Sequence, residues 1–170
     1  MGRKKIKMEE HWSEQLFYAC ENGEIEEVKK LLQNPNINVN WQNTLGFGDT
    51  PFSIACYFGN LEIVKLLLND ERVDINIVDN YYITPFSAAS ESGNVEVVEY
   101  ILASGKEVNL KAKAWNGKTA IDATRERLNE EFQDRKKNCE KIVELLESFE
   151  RNPNETRFKL RLKFGFAGKN

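Results

Sequence analysis

The stretch Asn-Leu-Glu-Ile-Val-Lys-Leu-Leu at residues 60–67 decides the fold, because the chain repeats it. It returns as Asn-Val-Glu-Val-Val-Glu-Tyr-Ile at 94–101, and a third copy, Glu-Ile-Glu-Glu-Val-Lys-Lys-Leu-Leu, occupies 24–32. The aligned positions Leu31, Leu66 and Ile101 are 35 residues apart. Such a period is typical of stacked-repeat proteins, in which a unit buries its apolar face only against its neighbours.

Each copy belongs to a larger unit of constant anatomy. Thr50-Pro51 opens a first helix that runs to Phe58, since proline suits the first turn of a helix. Gly59 ends that helix, because glycine readily takes the left-handed conformation that reverses the chain. A second helix with apolar residues at helical spacing follows, and the cycle begins again at Thr84 and at Thr119. The pattern therefore predicts two short helices per unit.

These residues resemble the ankyrin repeat. Thr-Pro-Phe-Ser-Ile-Ala at 50–55 matches the family's Thr-Pro-Leu-His-x-Ala opening, and Gly59-Asn60 matches its Gly-His turn. Ile-Val-Lys-Leu-Leu at 63–67 and Val-Asp-Ile-Asn at 73–76 match its second helix and its exit. The resemblance covers residues 13–149 and implies an all-α ankyrin-repeat solenoid of stacked helix-turn-helix units, with β-turn fingers and atypical terminal capping repeats. We assign a basic lead, four approximate units and a basic amphipathic tail to residues 1–12, 13–45, 46–79, 80–114, 115–149 and 150–170.

Some positions depart from the family pattern. Ser53 and Ser87 stand where the family has a histidine that ties neighbouring units, so we expect the serines to replace those hydrogen bonds only in part. Tyr82 stands where a finger-tip glycine is usual, and we expect Asn80 to turn the chain instead, because asparagine tolerates positive φ. Ser13 is expected to cap the first helix of the array.

The last unit is nine residues longer than the others, and the extra residues fall in 124–138. This charged stretch holds no proline or glycine, so we expect an extended first helix that protrudes by about 13 Å at ~1.5 Å per residue. It is either a solvated C-terminal cap or a platform that supports a binding face or the tail.

Composition and charge limit the class of protein. With 41% hydrophobic and 30% charged residues, the chain has the composition of a globular protein, and we expect neither a secretion signal nor a membrane span. Residues 1–8 carry a charge of +4 and residues 151–170 one of +5, which leaves −12 on residues 9–150. An acidic body argues against nucleic acid along the repeats and favours basic or neutral protein surfaces. Cys20, Cys56 and Cys139 are expected to be core thiols in a cytoplasmic or nuclear protein.

The resemblance also implies a binding surface. In ankyrin proteins, variable positions at the fingers and late in the first helices line a concave face that binds a protein partner. The positions that correspond, with their flanking aromatics, are Trp41, Phe47, Asp49, Tyr57, Phe58, Asn80, Tyr81, Tyr82, Ile83, Glu91, Ser92, Trp115, Asn116, Lys118, Glu126 and Arg127. Tyrosine and tryptophan dominate interface hot spots, which favours binding. The alternative is that the rings pack against one another or under the array.

The two basic ends allow several interpretations. Asn152-Pro153-Asn154-Glu155 predicts a helix start, whereas residues 157–164 alternate basic and apolar side chains as a strand does. Gly165 as a helix stop favours a short helix. The tail either contacts an acidic membrane, nucleic acid or a partner, or packs back onto the acidic body. Residues 3–7 are either a nuclear localisation signal or a disordered basic start.

Catalysis finds little support in the sequence. His11 has no second metal ligand or catalytic partner near it in the sequence. Gly117-Lys118-Thr119 lacks the upstream glycine of a phosphate loop and matches a finger-to-helix junction. We therefore expect no catalytic, metal or cofactor site. The prediction is a monomeric, non-enzymatic adaptor that binds a protein, with a tail-tethered adaptor on an acidic membrane or nucleic acid as the alternative.

Overall fold

The computed structural model describes residues 2–129 and 133–166, and the side chains from residue 10 onward. All regular secondary structure within these residues is helical, which confirms the all-α expectation. The helices are α1 (Gly2–Asn22), α2 (Ile25–Leu32), α3 (Pro51–Phe58), α4 (Leu61–Asn69), α5 (Pro85–Glu91), α6 (Val95–Ser104), α7 (Ala120–Glu126), α8 (Gln133–Arg151) and α9 (Pro153–Lys163), with a 3-10 helix at Arg127–Asn129.

The helices form two layers. The first helices of the units, α1, α3, α5 and α7, pack side by side, and the second helices, α2, α4, α6 and α8, pack behind them. Each first helix also packs on its own second helix, so the units stack as antiparallel pairs. The core lies between the layers and its largest fully buried side chains include Leu16, Val28, Phe52, Ile63, Leu67, Phe86, Ile101 and Ile142.

The Thr-Pro openings begin helices, as the sequence predicts, and their threonines cap these helices. The Oγ1 atoms of Thr50 and Thr84 each accept a hydrogen bond of 3.1 Å from the backbone N–H three residues later. Thr119 makes a full capping box with Asp122. These bonds satisfy N–H groups that the first turn of a helix leaves without partners.

Asparagines join neighbouring units. Asn60 Nδ2 donates to the carbonyl of Cys20 at 2.8 Å, and Asn94 Nδ2 donates to the carbonyls of Cys56 and Tyr57 at 2.9 and 2.8 Å. Each contact reaches from the start of a second helix to the end of the preceding unit's first helix. We call these contacts the asparagine links. Two further asparagines, Asn40 and Asn76, join the exits of successive units in the same way.

The serines do not tie units together, so that expectation is wrong. Ser53 Oγ donates to Asp49 Oδ1 at 2.8 Å, and Ser87 Oγ lies 3.0 Å from Thr84 Oγ1. A serine side chain is too short to reach the next unit and therefore bonds to the finger or cap of its own unit.

Three fingers connect the units. Finger 1 (residues 43–49), finger 2 (residues 79–83) and finger 3 (residues 114–118) are each closed by a hydrogen bond of 3.0–3.1 Å between their first N–H and their last carbonyl. Successive fingers are also bonded to each other. Asn80 N–H donates to the Phe47 carbonyl at 2.8 Å, and Trp115 N–H donates to the Tyr81 carbonyl at 2.9 Å. The fingers therefore form one row.

The turn of finger 2 lies at Tyr82 and not at Asn80, which corrects the sequence interpretation. Tyr82 has φ of 60°, and it occupies the position of Gly48 in finger 1 and Gly117 in finger 3, with φ of 83° and 77°. The hydrogen bonds between neighbouring fingers require positive φ at this position, whether the residue is glycine or tyrosine. The Asp79 carboxylate supports it by accepting the N–H groups of Tyr81 and Ile83, both at 2.8 Å.

The N-terminal end also differs from expectation. Helix α1 begins at Gly2, so residues 3–7 are helical and not a disordered start, and the boundary at residue 13 lies inside a helix. Ser13 is therefore not a cap. Its side chain is buried, and its Oγ accepts the N–H of Asn38 at 3.1 Å. Nothing between Gly2 and Ser13 breaks a helix, since the segment contains no proline.

The extra length of the last unit does not extend its first helix. Helix α7 ends at Glu126, the 3-10 helix follows, and α8 begins at Gln133; residues 130–132 of the expected extension lie outside the described residues. Buried side chains continue at helical spacing along α8, at Cys139, Ile142, Val143, Leu146 and Phe149, whereas those of α7 end at Thr124. Apolar burial therefore lengthens the second helix, because a longer α7 has nothing further to bury.

The tail folds as a helix on the acidic body, and the strand interpretation is wrong. Asn152 caps α9, and Leu160 is buried between α9 and the rest of the molecule. The Arg157 Nε atom donates to the Leu102 carbonyl at 3.3 Å, and Lys163 Nζ lies 2.5 Å from Glu99 Oε2. The remaining residues of the tail, 167–170, lie outside the described part of the chain.

Candidate partner-binding groove

A groove of about 570 Å³ runs between the fingers and the first helices. Fingers 1 and 2 form one wall, and the exposed ends of α1, α3 and α5 form the other. We call this feature the groove. Its aromatic side chains are Phe17, Phe47, Tyr57, Phe58 and Tyr81, its carboxylates are Glu21, Asp49, Asp79 and Glu91, and its arginines are Arg127 and Arg135.

Four aromatic rings give the groove its apolar surface. The rings of Phe47 and Tyr81 are 5.9 Å apart across the two fingers, and those of Tyr57 and Phe58 meet edge to face at 5.1 Å. Each side chain is 44–64% exposed. The rings therefore contact one another and still present about half of their surface to solvent.

Carboxylates lie on both sides of these rings. Burial raises the pKa of Asp49, the Ser53 hydroxyl lowers it again in part, and the nearby charges of Asp79 and Glu21 raise it further. Burial likewise raises the pKa of Glu91 against the opposing effect of Arg127, whose Nη2 lies 3.1 Å from Glu91 Oε2. These carboxylates are partly desolvated and repel one another, which favours a cation between them.

The groove brings together eight of the partner-binding residues that the sequence predicts. They are Phe47, Asp49, Tyr57, Phe58, Tyr81, Ile83, Glu91 and Arg127, with Ser92 beside them. Their sequence positions span 47–127, so only the stacking of successive units places them side by side.

The other residues of that prediction lie elsewhere. Trp41 is half-buried and packs against the core, with its ring 5.9 Å from that of Phe17. Tyr82 and Trp115 are 62% and 70% exposed at fingers 2 and 3, outside the groove. Lys118 and Glu126 form an ion pair at the end of the row.

Several lining residues are absent from the sequence prediction. Glu21 holds the position in the first unit that Tyr57 holds in the second, so the repeat alignment contained the signal. Asp79 is the base of finger 2. Arg135 comes from beyond the irregular part of the last unit, where the period no longer predicts a position.

The described residues contain no group of three or more His, Cys, Asp or Glu side chains placed to hold a metal ion. Within the same residues, no helix combines the length and the apolar character that crossing a membrane requires.

Stacked antiparallel helix pairs joined by a row of fingers define a helical repeat protein. The chain belongs to the ankyrin repeat family: the family model described as ankyrin repeats (3 copies) matches residues 16–112. The fourth helix pair, α7 and α8, lies beyond the matched residues. Ankyrin repeats are in general protein–protein interaction modules, not enzymes.

Segments of known proteins are similar to part of this chain. Ankyrin repeat and SAM domain-containing protein 6 of Rattus norvegicus and of Mus musculus are each 36% identical over 108 residues, which cover 63% of this chain and 12% of the relative. Oxysterol-binding protein-related protein 1 of Homo sapiens is 31% identical over 74 residues, or 39% of this chain and 8% of the relative. The matched segments thus span about an eighth or less of these relatives.

Proposed function

We propose that this chain is a non-enzymatic adaptor that binds a protein partner through the groove. The observation that carries the proposal is the set of half-exposed rings at Phe47, Tyr57, Phe58 and Tyr81, which converge from two fingers and one helix. Apolar surface gathered in one concave place is the usual mark of a binding site, and aromatic side chains supply most of the binding energy in such sites.

The groove is largely preformed. Hydrogen bonds between the fingers hold the backbone of Phe47 and Tyr81, and an asparagine link holds the end of the helix that carries Tyr57. A partner therefore meets side chains that are already in place, and binding costs little conformational entropy. Affinity depends on how completely the partner covers the rings.

Affinity capture from a cell lysate, read by mass spectrometry, tests the proposal. The wild-type chain is compared with Tyr57→Ala and Tyr81→Ala, and Phe158→Ala is the control because Phe158 is also an exposed ring but lies on α9, outside the groove. A hot-spot ring is worth about 2 kcal/mol or more, so each groove variant should bind the captured partner at least ~30-fold more weakly. Identical capture by all four chains contradicts the proposal.

The thermal midpoint of each variant is measured alongside. Because Tyr57 and Tyr81 are half-exposed, their truncation should leave the midpoint nearly unchanged. A large fall in the midpoint with capture intact assigns the rings a structural role and contradicts the proposal as well.

A second candidate function is attachment to an acidic membrane through α9. Phe158 and Leu162 are 61% and 52% exposed one helical turn apart, with the exposed Lys159 beside them. Against it, Arg157 and Lys163 are engaged with the body of the protein. Sedimentation with phosphatidylserine vesicles distinguishes the cases: a Phe158→Ala/Leu162→Ala double variant that pellets as well as wild type contradicts this candidate.

A further inference from the structure

The charges that line the groove are unbalanced. Among the described lining residues, four carboxylates face two arginines, and the Arg127 guanidinium is already paired with Glu91. Glu21, Asp49 and Asp79 each come from a different element: α1, finger 1 and finger 2. The carboxylates therefore reach the groove from three separate elements, and the charges of Glu21 and Asp79 lie near enough to raise the pKa of Asp49.

Rings and carboxylates are interleaved in this lining. Tyr57 and Phe58 lie at the end of α3, between Glu21 on α1 and Glu91 on α5. A cationic side chain in such a place contacts ring faces through its charge and carboxylates through hydrogen bonds. An anionic side chain meets repulsion from the same carboxylates without any comparable gain.

The dimensions of the groove also limit its occupant. A volume of about 570 Å³ is that of a site for a few side chains and is too small for a folded domain. An extended peptide segment fits it, with alternate side chains turned to the rings and to the carboxylates.

We propose that the occupant of the groove is a basic peptide segment of a partner, in which Lys or Arg side chains alternate with apolar ones. The inference rests on the proposed function, since it names the chemistry of the partner that the groove takes. The charge complementarity between the carboxylate lining and a basic segment sets the specificity, and the rings supply the affinity.

Selection from a library of short random peptides identifies the preferred occupant. The full wild-type chain is the target. Peptides that also bind a Phe47→Ala/Tyr57→Ala double variant are discarded, because they bind outside the groove. The expected result is enrichment of sequences that combine Lys or Arg with neighbouring apolar residues. Enrichment of acidic or uncharged sequences overturns this inference but leaves the proposed function intact. If no enriched peptide depends on the two rings, both fail.

Fluorescence polarisation with the best enriched peptide then tests the carboxylates. Glu21→Gln and Asp49→Asn remove charge while leaving the shape of the groove unchanged, and Glu71→Gln, an exposed loop residue outside the groove, is the matched control. Each groove variant should weaken binding about threefold to tenfold, and raising the salt from about 50 mM to about 300 mM should weaken wild-type binding severalfold. Equal affinities for Glu21→Gln, Asp49→Asn and Glu71→Gln overturn the inference.

Discussion

Tyr82 is the one non-glycine residue of the described chain with positive φ. For an L-residue the left-handed conformation costs about 1–2 kcal/mol, because the Cβ atom crowds the following carbonyl. The two equivalent fingers avoid this cost with glycine. Finger 2 retains the tyrosine, and the ring stands 62% exposed at its tip. The two Asp79 hydrogen bonds and the bonds between fingers hold the strained conformation in place.

Replacing this residue with glycine should stabilise the fold. For Tyr82→Gly we expect the free energy of unfolding to rise by about 1 kcal/mol, because the strain disappears while little buried surface is lost. Urea denaturation measures the change. Tyr81→Gly is the control: it has ordinary φ, so glycine there should destabilise the fold by roughly 0.5–1 kcal/mol. A decrease in stability for both variants contradicts the account.

Ionisation of Asp49 destabilises the folded state. A carboxyl group whose pKa is raised in the folded state destabilises that state when it ionises. The penalty is absent below the unfolded pKa of about 4 and complete above the folded pKa. Asp49→Asn keeps an oxygen for the Ser53 hydroxyl and removes the charge, so it should raise the thermal midpoint at pH 7.

The difference in thermal midpoint between Asp49→Asn and wild type should narrow as the pH falls through the raised folded pKa of Asp49 and be lost below the unfolded pKa of about 4. Differential scanning calorimetry across this range provides the measurement. A midpoint difference that stays constant with pH assigns the effect to something other than ionisation.

The repeat alignment predicts much of the groove at the level of single residues. Phe47, Tyr57, Phe58 and Tyr81 occupy variable positions, and stacking brings all four together. Glu21 was equally available from the alignment, but it lies in the capping unit, which lacks the Thr-Pro opening that sets the register. The turn at Tyr82 follows from the positions of Gly48 and Gly117, and residue preference alone pointed to Asn80.

At the scale of elements, the asparagine links set how firmly neighbouring units hold each other. Asn94 joins the start of α6 to the end of α3 by two hydrogen bonds. It also lies close above Gly59, where an added Cβ would come within 2.7 Å of its Oδ1 atom. The glycine therefore allows the close approach as well as the turn.

We expect Asn94→Ala to lower the free energy of unfolding by about 1–3 kcal/mol, since two helix-end carbonyls lose their protein donor. Chemical denaturation gives the value. Asn154→Ala is the control, because this exposed asparagine of α9 makes no link between units, and it should change stability by less than about 0.5 kcal/mol. Similar losses for the two variants contradict a specific role of the links.

Helix α9 offers a matched pair of leucines. Leu160 is 6% exposed and Leu162 is 52% exposed. Leu160→Ala should cost about 2–4 kcal/mol through lost burial and a residual cavity, whereas Leu162→Ala should cost less than about 1 kcal/mol. Urea denaturation of both variants tests whether α9 is an integral cap of the array. Equal, small effects would mean that the helix contributes little to stability.

The elements differ in how well the sequence predicts them. The second helices α4 and α6 follow from their apolar stripes, and the first helices α3 and α5 follow from their Thr-Pro openings. The end of α7 cannot be predicted from the sequence in this way. Residues 124–138 contain no glycine or proline, and their charge pattern suits a helix throughout. Arg127, directly after α7, forms an ion pair with Glu91 on α5, a long-range contact that the charge pattern of the segment does not predict.

At the scale of the whole molecule, the charge separation seen in the sequence takes a definite form. The basic tail lies against α6 and α8 as α9, where Lys163 pairs with Glu99. The carboxylates of the groove lie on α1, on α5 and on fingers 1 and 2, elements that do not pack against this helix. The molecule therefore has an acidic groove on one side and a basic helix, partly neutralised by its contacts, on the other.

The reactivity of the buried cysteines can be used to measure how often each unit of the array opens. Cys20, Cys56 and Cys139 belong to the first, second and fourth units, and all three are buried thiols. Burial raises the pKa of Cys20 and of Cys56, so neither reacts as a thiolate in the closed state. Labelling of each thiol by a maleimide then requires its own unit to open.

Cys56 lies between neighbours on both sides, whereas Cys20 and Cys139 belong to terminal units. We therefore expect Cys56 to be labelled most slowly under native conditions, with the three rates read separately by mass spectrometry. Equal rates would mean that the array opens only as a whole. Measuring the three labelling rates with and without a captured partner would then show whether binding stabilises one unit or all of them.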